Sequence, residues 1–138
     1  MKTAMIFGTF DVVHHGHLSL FRQAKKYANR LIVVVARDTR VKSLKRLPIY
    51  DEKDRKFFLE QIKLIDKVIL GDKIDVYKTI KKFQPEVIVL GYDQRLFTDK
   101  LADKIVKFGL KTRIVRAKAY RAKNLKTKKI RKRLEKEI

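Results

Sequence analysis

A chain of 138 residues that is 45% apolar fits a single domain able to bury roughly two-thirds of the surface its unfolded form exposes, which excludes disorder. It has no cysteine, so neither a disulfide framework nor a thiolate metal site is available and a reducing cytoplasm suits it; Met1–Phe7 is too short a run for a signal peptide, and Leu31–Ala36 falls far short of the ~20 apolar residues of a membrane span. The formal charge of +21 attracts nucleic acid, anionic membrane or phosphorylated small molecules, or else belongs to the solvated surface of a thermophilic or salt-adapted protein, and charge alone does not choose among these.

In chain order, Thr3–Phe7 reads as a buried strand, followed by a histidine-bearing loop and a helix from about Gly16 to Ala28. Leu18, Phe21, Ala24 and Ala28 fall on one face of that helix. Leu31–Ala36 is unbroken and largely β-branched, as in a parallel strand covered on both sides. The polar, basic stretch Arg37–Tyr50 reads as a loop, with Pro48 blocking helix. Asp51 or a neighbour then starts a helix expected to turn Phe58, Leu59, Ile62 and Ile65 inward. Val68–Leu70 is a short strand stopped by Gly71, Ile74–Phe83 a helix, and Val87–Leu90 a strand after Pro85. Asp99–Phe108 reads as a helix ended by Gly109, and Thr112–Val115 as the last strand. Ile130, Leu134 and Ile138, four apart, predict a basic amphipathic helix over 127–138. No repeat or linker interrupts this order, so residues 1–138 form one domain.

Strand and helix alternating five times imply an α/β fold, a Rossmann-like three-layer sandwich around a five-stranded parallel sheet. Such sheets bind ligands beyond the carboxyl ends of their strands. His14, Lys42, Asp93 and Tyr120 all fall just past strand ends in this reading, so residues distant in sequence meet at one crevice.

Two common phosphate motifs are absent. No Gly-x-Gly-x-x-Gly follows the first strand, which disfavours a dinucleotide redox cofactor, and no Gly-x4-Gly-Lys-Ser/Thr occurs. In their place stand Gly8-Thr9-Phe10-Asp11 and His14-x-Gly16-His17. Phosphoryl-type transfer needs in-line placement and hydrogen-bond donors for developing charge, and little covalent chemistry from the protein. Gly8 lets the chain turn so that the Thr9 and Phe10 backbone approaches a phosphate, and Gly16 does the same at a helix start. His14 and His17, three apart, share a face and can donate to oxygens flanking a phosphorus. Two plainer readings compete: satisfied polar side chains on a helix turn, which leaves the glycines unexplained, and a zinc site from His14, His15 and His17, for which adjacent histidines point apart. Asp11 fits a turn-stabilising carboxylate better than a metal ligand.

On these residues the segment resembles the nucleotidyltransferase superfamily that includes cytidylyltransferases, pantetheine-phosphate adenylyltransferase and the archaeal FAD synthases. Gly91-Tyr92-Asp93-Gln94 is similar to the Gly-Tyr-Asp-Gln of archaeal FAD synthases, where glycerol-phosphate cytidylyltransferases usually carry Gly-Asp-Asp-Trp. Arg121-x3-Leu125-x-Thr127-x-Lys129-Ile130 resembles the cytidylyltransferase element Arg-Thr-Glu-Gly-Ile-Ser-Thr-Thr-Lys-Ile, departing from it at Lys126 and Lys128, where hydroxyls are replaced by ammonium groups. The resemblance implies His14 and His17 as the catalytic pair. It implies nucleotide binding by Gly8, Thr9, Phe10, His14, His15, Gly16, His17, Asp93, Tyr120, Arg121 and Thr127, with His15 in a variable slot. Lys42, Lys45 and Arg46 would hold the triphosphate or the acceptor's phosphate, or are ordinary exposed charges. Asp93 is equally a turn former, Tyr120 a packing residue and Thr127 a helix cap.

The activity so implied is transfer of AMP from ATP to the phosphate of FMN, giving FAD and pyrophosphate. The alternative is a cytidylyltransferase using CTP and glycerol 3-phosphate or a related alcohol phosphate. A divalent cation, Mg²⁺ by preference, would be held mainly by the nucleotide phosphates, with no protein metal site. The resemblance also implies a homodimer. From another class, ten Lys/Arg against two Glu between Lys118 and Ile138 allow a nucleic-acid-binding module. Only Tyr120 supplies an aromatic ring there, so such binding would be unspecific.

Overall fold

The computed structural model describes residues 1–44, 47–95 and 100–120. Its elements are β1 (Thr3–Gly8), α1 (His15–Lys25), β2 (Arg30–Val35), α2 (Asp38–Ser43), α3 (Glu52–Glu60), β3 (Lys67–Leu70), α4 (Lys78–Phe83), β4 (Val87–Leu90), α5 (Leu101–Lys107) and β5 (Arg113–Arg116). The five strands form one sheet in the order β3-β2-β1-β4-β5, every neighbouring pair parallel. All five carboxyl ends therefore lie along one edge, as expected for the three-layer α/β sandwich.

Alternation along the strands splits the interior into two cores. Ala4, Ile6, Leu31, Val33, Val35, Val87 and Val89 pack with Phe21 and Ala24 of α1 and Leu59 of α3 on one face. Met5, Phe7, Ile32, Val34, Ile88 and Leu90 pack with Ile80 of α4 and with Leu101 and Ile105 of α5 on the other. Strands covered on both sides explain the uninterrupted apolar runs. Among the described residues no helix is long and apolar enough to cross a membrane.

The elements depart from expectation in four places. The stretch after β2 is not all loop: Asp38–Ser43 is a helix, α2, which buries Val41. Phe58 does not turn inward but is 40% exposed, leaving Leu59 buried and Ile62 and Ile65 partly so. The fourth helix begins at Lys78 rather than Ile74, because Asp72 accepts from the Ile74 and Asp75 amides and Asp75 from the Tyr77 amide. Those side chains hold a turn in competition with the helix, and Ile74 is fully solvated. Helix α1 stops at Lys25, short of Ala28, although Ala28 still reaches the core. Asp51 does cap α3 through the Asp54 amide at 2.8 Å, and Gly109, at φ +70°, does end α5. The C-terminal helix over 127–138 lies outside the described residues.

Candidate active site

The turn between β1 and α1 is packed. Phe10 has φ 54°, a left-handed backbone that costs a side-chain-bearing residue about 1–2 kcal/mol. In return its ring folds over Gly8 and meets Phe21 at 5.7 Å and the edge of His17 at 5.2 Å between centroids. A Cβ on Gly8 would lie 2.8 Å from that ring, so glycine is needed there for Phe10 and not only for phosphate approach. Buried Asp11 accepts from the Ile49 and Tyr50 amides at 2.7 and 2.9 Å, tying the turn to the segment ahead of α3.

At the start of α1 the two histidines support each other. His14 is the N-cap, and its Nδ1 accepts from the Gly16 amide at 3.1 Å. The Nδ1 of His17 accepts from the His14 amide at 3.2 Å, which completes a reciprocal capping box. The rings stack with centroids 4.0 Å apart and planes 28° off parallel. With Nδ1 occupied as an acceptor, the proton of each neutral ring sits on Nε2, its remaining donor. Gly16 is required by this arrangement, since a Cβ would fall 2.8 Å from Cε1 of His14. The sequence reading assigned that glycine to the incoming anion alone.

Both rings are held neutral. Burial pushes His17 down to about 3, the neighbouring His14 adds to this, and the charge of Asp93 pulls weakly the other way. His14 is lowered as well, by burial first and then by His15. Each imidazole is thus a hydrogen-bond donor that stays uncharged across the neutral range.

A buried guanidinium braces the same edge of the sheet. Arg55 of α3 has no exposed surface; it donates to the carbonyls of Thr9 at 2.9 Å, Ala36 at 2.8 Å and Tyr50 at 3.0 Å. It also pairs with Asp38 at 2.7 Å. Burial raises the Asp38 carboxyl, but hydrogen bonds from Arg55 and from the Glu52 amide outweigh it and hold the group below its usual range. Asp38 and Glu52 each accept from the other's backbone amide, joining the starts of α2 and α3. Sequence reasoning missed this hub. A signal existed: Arg55, Leu59 and Ile62 are four and three apart, which puts the arginine on the buried face.

Gly8, Thr9, Phe10, His14, His15, Gly16 and His17 thus form one compact turn, and Asp93, in the exposed turn after β4, is close enough to act on His17. Gln23 accepts from the Lys118 amide and donates to its carbonyl, holding the chain after β5 against α1. This leaves the Tyr120 ring 6.1 Å from that of His15. Lys42 is exposed on α2, and its charge reaches Asp38 rather than the histidines. Lys45, Arg46, Arg121 and Thr127 lie outside the described residues.

Comparison with known proteins places the chain in a family. The FAD synthase of Aciduliprofundum boonei is 42% identical over 87% of this chain and 80% of its own length. The FAD synthase of Archaeoglobus profundus is 43% identical over 86% of this chain and 76% of its own. A crystal structure described as the lipopolysaccharide core biosynthesis protein of Thermoplasma volcanium superposes with a TM-score of 0.82 at 38% identity, covering 87% of this chain and 98% of that one. The pantoate-β-alanine ligase of Francisella tularensis shares the fold alone, at a TM-score of 0.56 and 14% identity over 94% of this chain and 67% of its own. A family profile described as cytidylyltransferase-like matches residues 5–133, from the first strand through the histidine turn to the basic tail, and the chain belongs to that family.

Proposed function

We propose that this chain is an FAD synthase, a nucleotidyltransferase that moves AMP from ATP to FMN. An oxygen of the FMN phosphate attacks the α-phosphorus of ATP, a new P–O–P linkage forms, and the bond to the β-phosphate breaks to release pyrophosphate. The stacked, neutral imidazoles at the start of α1, each left with an Nε2–H donor, support nucleotidyl transfer; the observation that carries ATP and FMN as its substrates is the 42–43% identity to FAD synthases over most of the chain. An ionised phosphate is already a nucleophile, so no general base is required. What the reaction needs is donors for the charge spreading over the α-phosphate and the departing oxygen, in a site where they are pre-set.

In this reading the helix start and the Nε2–H groups of His14 and His17 hold the α-phosphate. Asp93 and Tyr120 flank the nucleoside, and Lys42, Lys45 and Arg46 attend the remaining phosphates. Arg121 and Thr127 would approach from the C-terminal segment of the same domain, spanning 1–138 with a helix over 127–138. A divalent cation, Mg²⁺ by preference, supplies charge neutralisation on the triphosphate that carries it in. Asp11 does not suit it as a ligand, because both carboxylate oxygens are engaged by backbone amides. The absence of cysteine fits a cytoplasmic enzyme, and the family resemblance fits a homodimer.

The cytidylyltransferase reading uses the same histidines, and the matching profile, described as cytidylyltransferase-like, does not set it above the FAD synthase reading. Incubating the protein with Mg²⁺ and either ATP plus FMN or CTP plus glycerol 3-phosphate separates the two. Formation of FAD with release of pyrophosphate is expected in the first mixture. Pyrophosphate from the second mixture, with none from the first, would make the enzyme a cytidylyltransferase.

A further inference from the structure

β1 and β4 are partners near their amino ends, where Ala4 pairs with Val87 and Met5 with Ile88. Toward the carboxyl ends each strand keeps its other neighbour. β1 stays with β2 as far as Gly8 opposite Val35, and β4 with β5 as far as Leu90 opposite Arg116. The sheet therefore parts between β1 and β4 at the edge that carries the histidine turn. This is the switch point of the strand order, where open α/β sheets take their ligands.

Gln94 spans the parting. Its Nε2 donates to the Phe7 carbonyl on β1 at 3.2 Å, and its Oε1 accepts from the Gly91 amide, one residue past β4, at 3.1 Å. The turn is closed by the Gln94 amide donating to the Gly91 carbonyl at 3.1 Å. From the far side Arg116, the last residue of β5, donates to the carbonyls of Gly91 and Gln94 at 2.8 and 2.9 Å. Asp93 sits inside this clamped turn, and its charge acts on His17. A primary amide offers a donor and an acceptor on one rigid, uncharged group, as a carbonyl on one strand and an N–H beyond the other demand.

We propose that Gln94 is a positioning residue, whose amide sets the width of the crevice between β1 and β4 and fixes the turn that carries Asp93. Its kinetic consequence rests on the adenylyl-transfer reading; its structural one does not. Gln94→Met keeps the length and removes both hydrogen bonds. Gln94→Glu keeps the acceptor and, when ionised, sets a carboxylate against the Phe7 carbonyl.

Three quantities decide the matter: the imidazole ¹H–¹⁵N resonances of the ligand-free protein, kcat/KM with the substrate pair the wild type uses, and the thermal midpoint. Gln94→Met is expected to move the His17 resonances and to lower kcat/KM by about 10- to 100-fold, as a sub-ångström misplacement does. The midpoint should fall by no more than about 4 °C. Gln94→Glu is expected to match it at neutral pH and to recover only as pH falls toward about 4.3, where the introduced carboxyl gains a proton that it can donate to Phe7; wild type measured alongside lacks this recovery. Unmoved His17 resonances with unchanged kcat/KM overturn the proposal, as does a loss of activity no larger than the loss of folded protein. If wild type makes no FAD from ATP and FMN, the adenylyl reading fails, and the His17 resonances still settle the role of Gln94.

Discussion

Asparagine caps helices about as well as any side chain and has nothing that corresponds to Nε2 of histidine. His14→Asn therefore separates the two tasks that His14 performs at the start of α1. Stability should stay within about 0.5 kcal/mol of wild type because the cap survives, while turnover falls roughly 10²–10³-fold with the lost donor. His14→Ala should lose the same turnover and about 1 kcal/mol of stability besides. Urea unfolding beside steady-state rates makes the comparison, and near-normal turnover in either variant removes His14 from the chemistry. His17 carries a pH signature. Its folded-state value is about 3 against 6.5 for an ordinary histidine, so the unfolded chain takes up a proton that the native protein refuses. Stability is complete above about pH 6.5 and is lost as pH falls toward 3, by up to about tenfold in the folding equilibrium per pH unit, with His14 adding in the same sense. His17→Asn should flatten this dependence between pH 7 and 5 in urea midpoints; an unchanged slope would show that His17 protonates as freely in the fold as outside it.

At the scale of elements, α3 owes its place to a charge as much as to apolar burial. Arg55 satisfies three carbonyls at the ends of three separate segments and pairs with Asp38. Arg55→Met should cost roughly 3–5 kcal/mol, because Asp38 and the carbonyls of Thr9, Ala36 and Tyr50 lose their shared donor together. Calorimetric unfolding checks this, and a loss below about 1 kcal/mol would mean that water replaces the guanidinium without difficulty. The strands were readable because full burial on both faces leaves β-branched runs such as Leu31–Val35 with no polar interruption. Asp51 and Gly109 were readable because caps and left-handed stops have narrow residue preferences. What stayed hidden was decided by contacts between segments. α2 is six residues with one buried side chain, too short for any period to show. The start of α4 was lost to Asp72 and Asp75, whose carboxylates close a side-chain turn over residues 72–77 ahead of it. In the site, His14 and His17 could be placed on one face from spacing. Their mutual capping, and the protons it fixes on Nε2, required the ring positions.

The whole molecule carries a formal charge of +21. Many lysines sit at short range over aromatic rings, as Lys81 does over Phe108 at 5.7 Å and Lys104 over Tyr77 at 5.4 Å, which holds some of that charge against the surface. Like charges at this density repel through water, and added salt screens them over about 10 Å at 0.1 M. The thermal midpoint should accordingly rise between low and moderate NaCl, the reverse of a protein held by surface ion pairs. Retention on heparin or random-sequence RNA should vanish over the same range, as unspecific polyanion binding does. Retention that survives moderate salt would show a genuine nucleic-acid site in the chain.

The capping box has one further consequence. Because the atoms that begin α1 belong to the same two rings proposed to face the phosphates, a copy of this protein relieved of its catalytic duty is not thereby free to change at positions 14 and 17. Drift there costs about 1 kcal/mol of stability unless it brings a substitute cap such as asparagine. Libraries screened only for folded protein should therefore return a narrow, cap-competent alphabet at position 14, a bias easily mistaken for selection on the reaction.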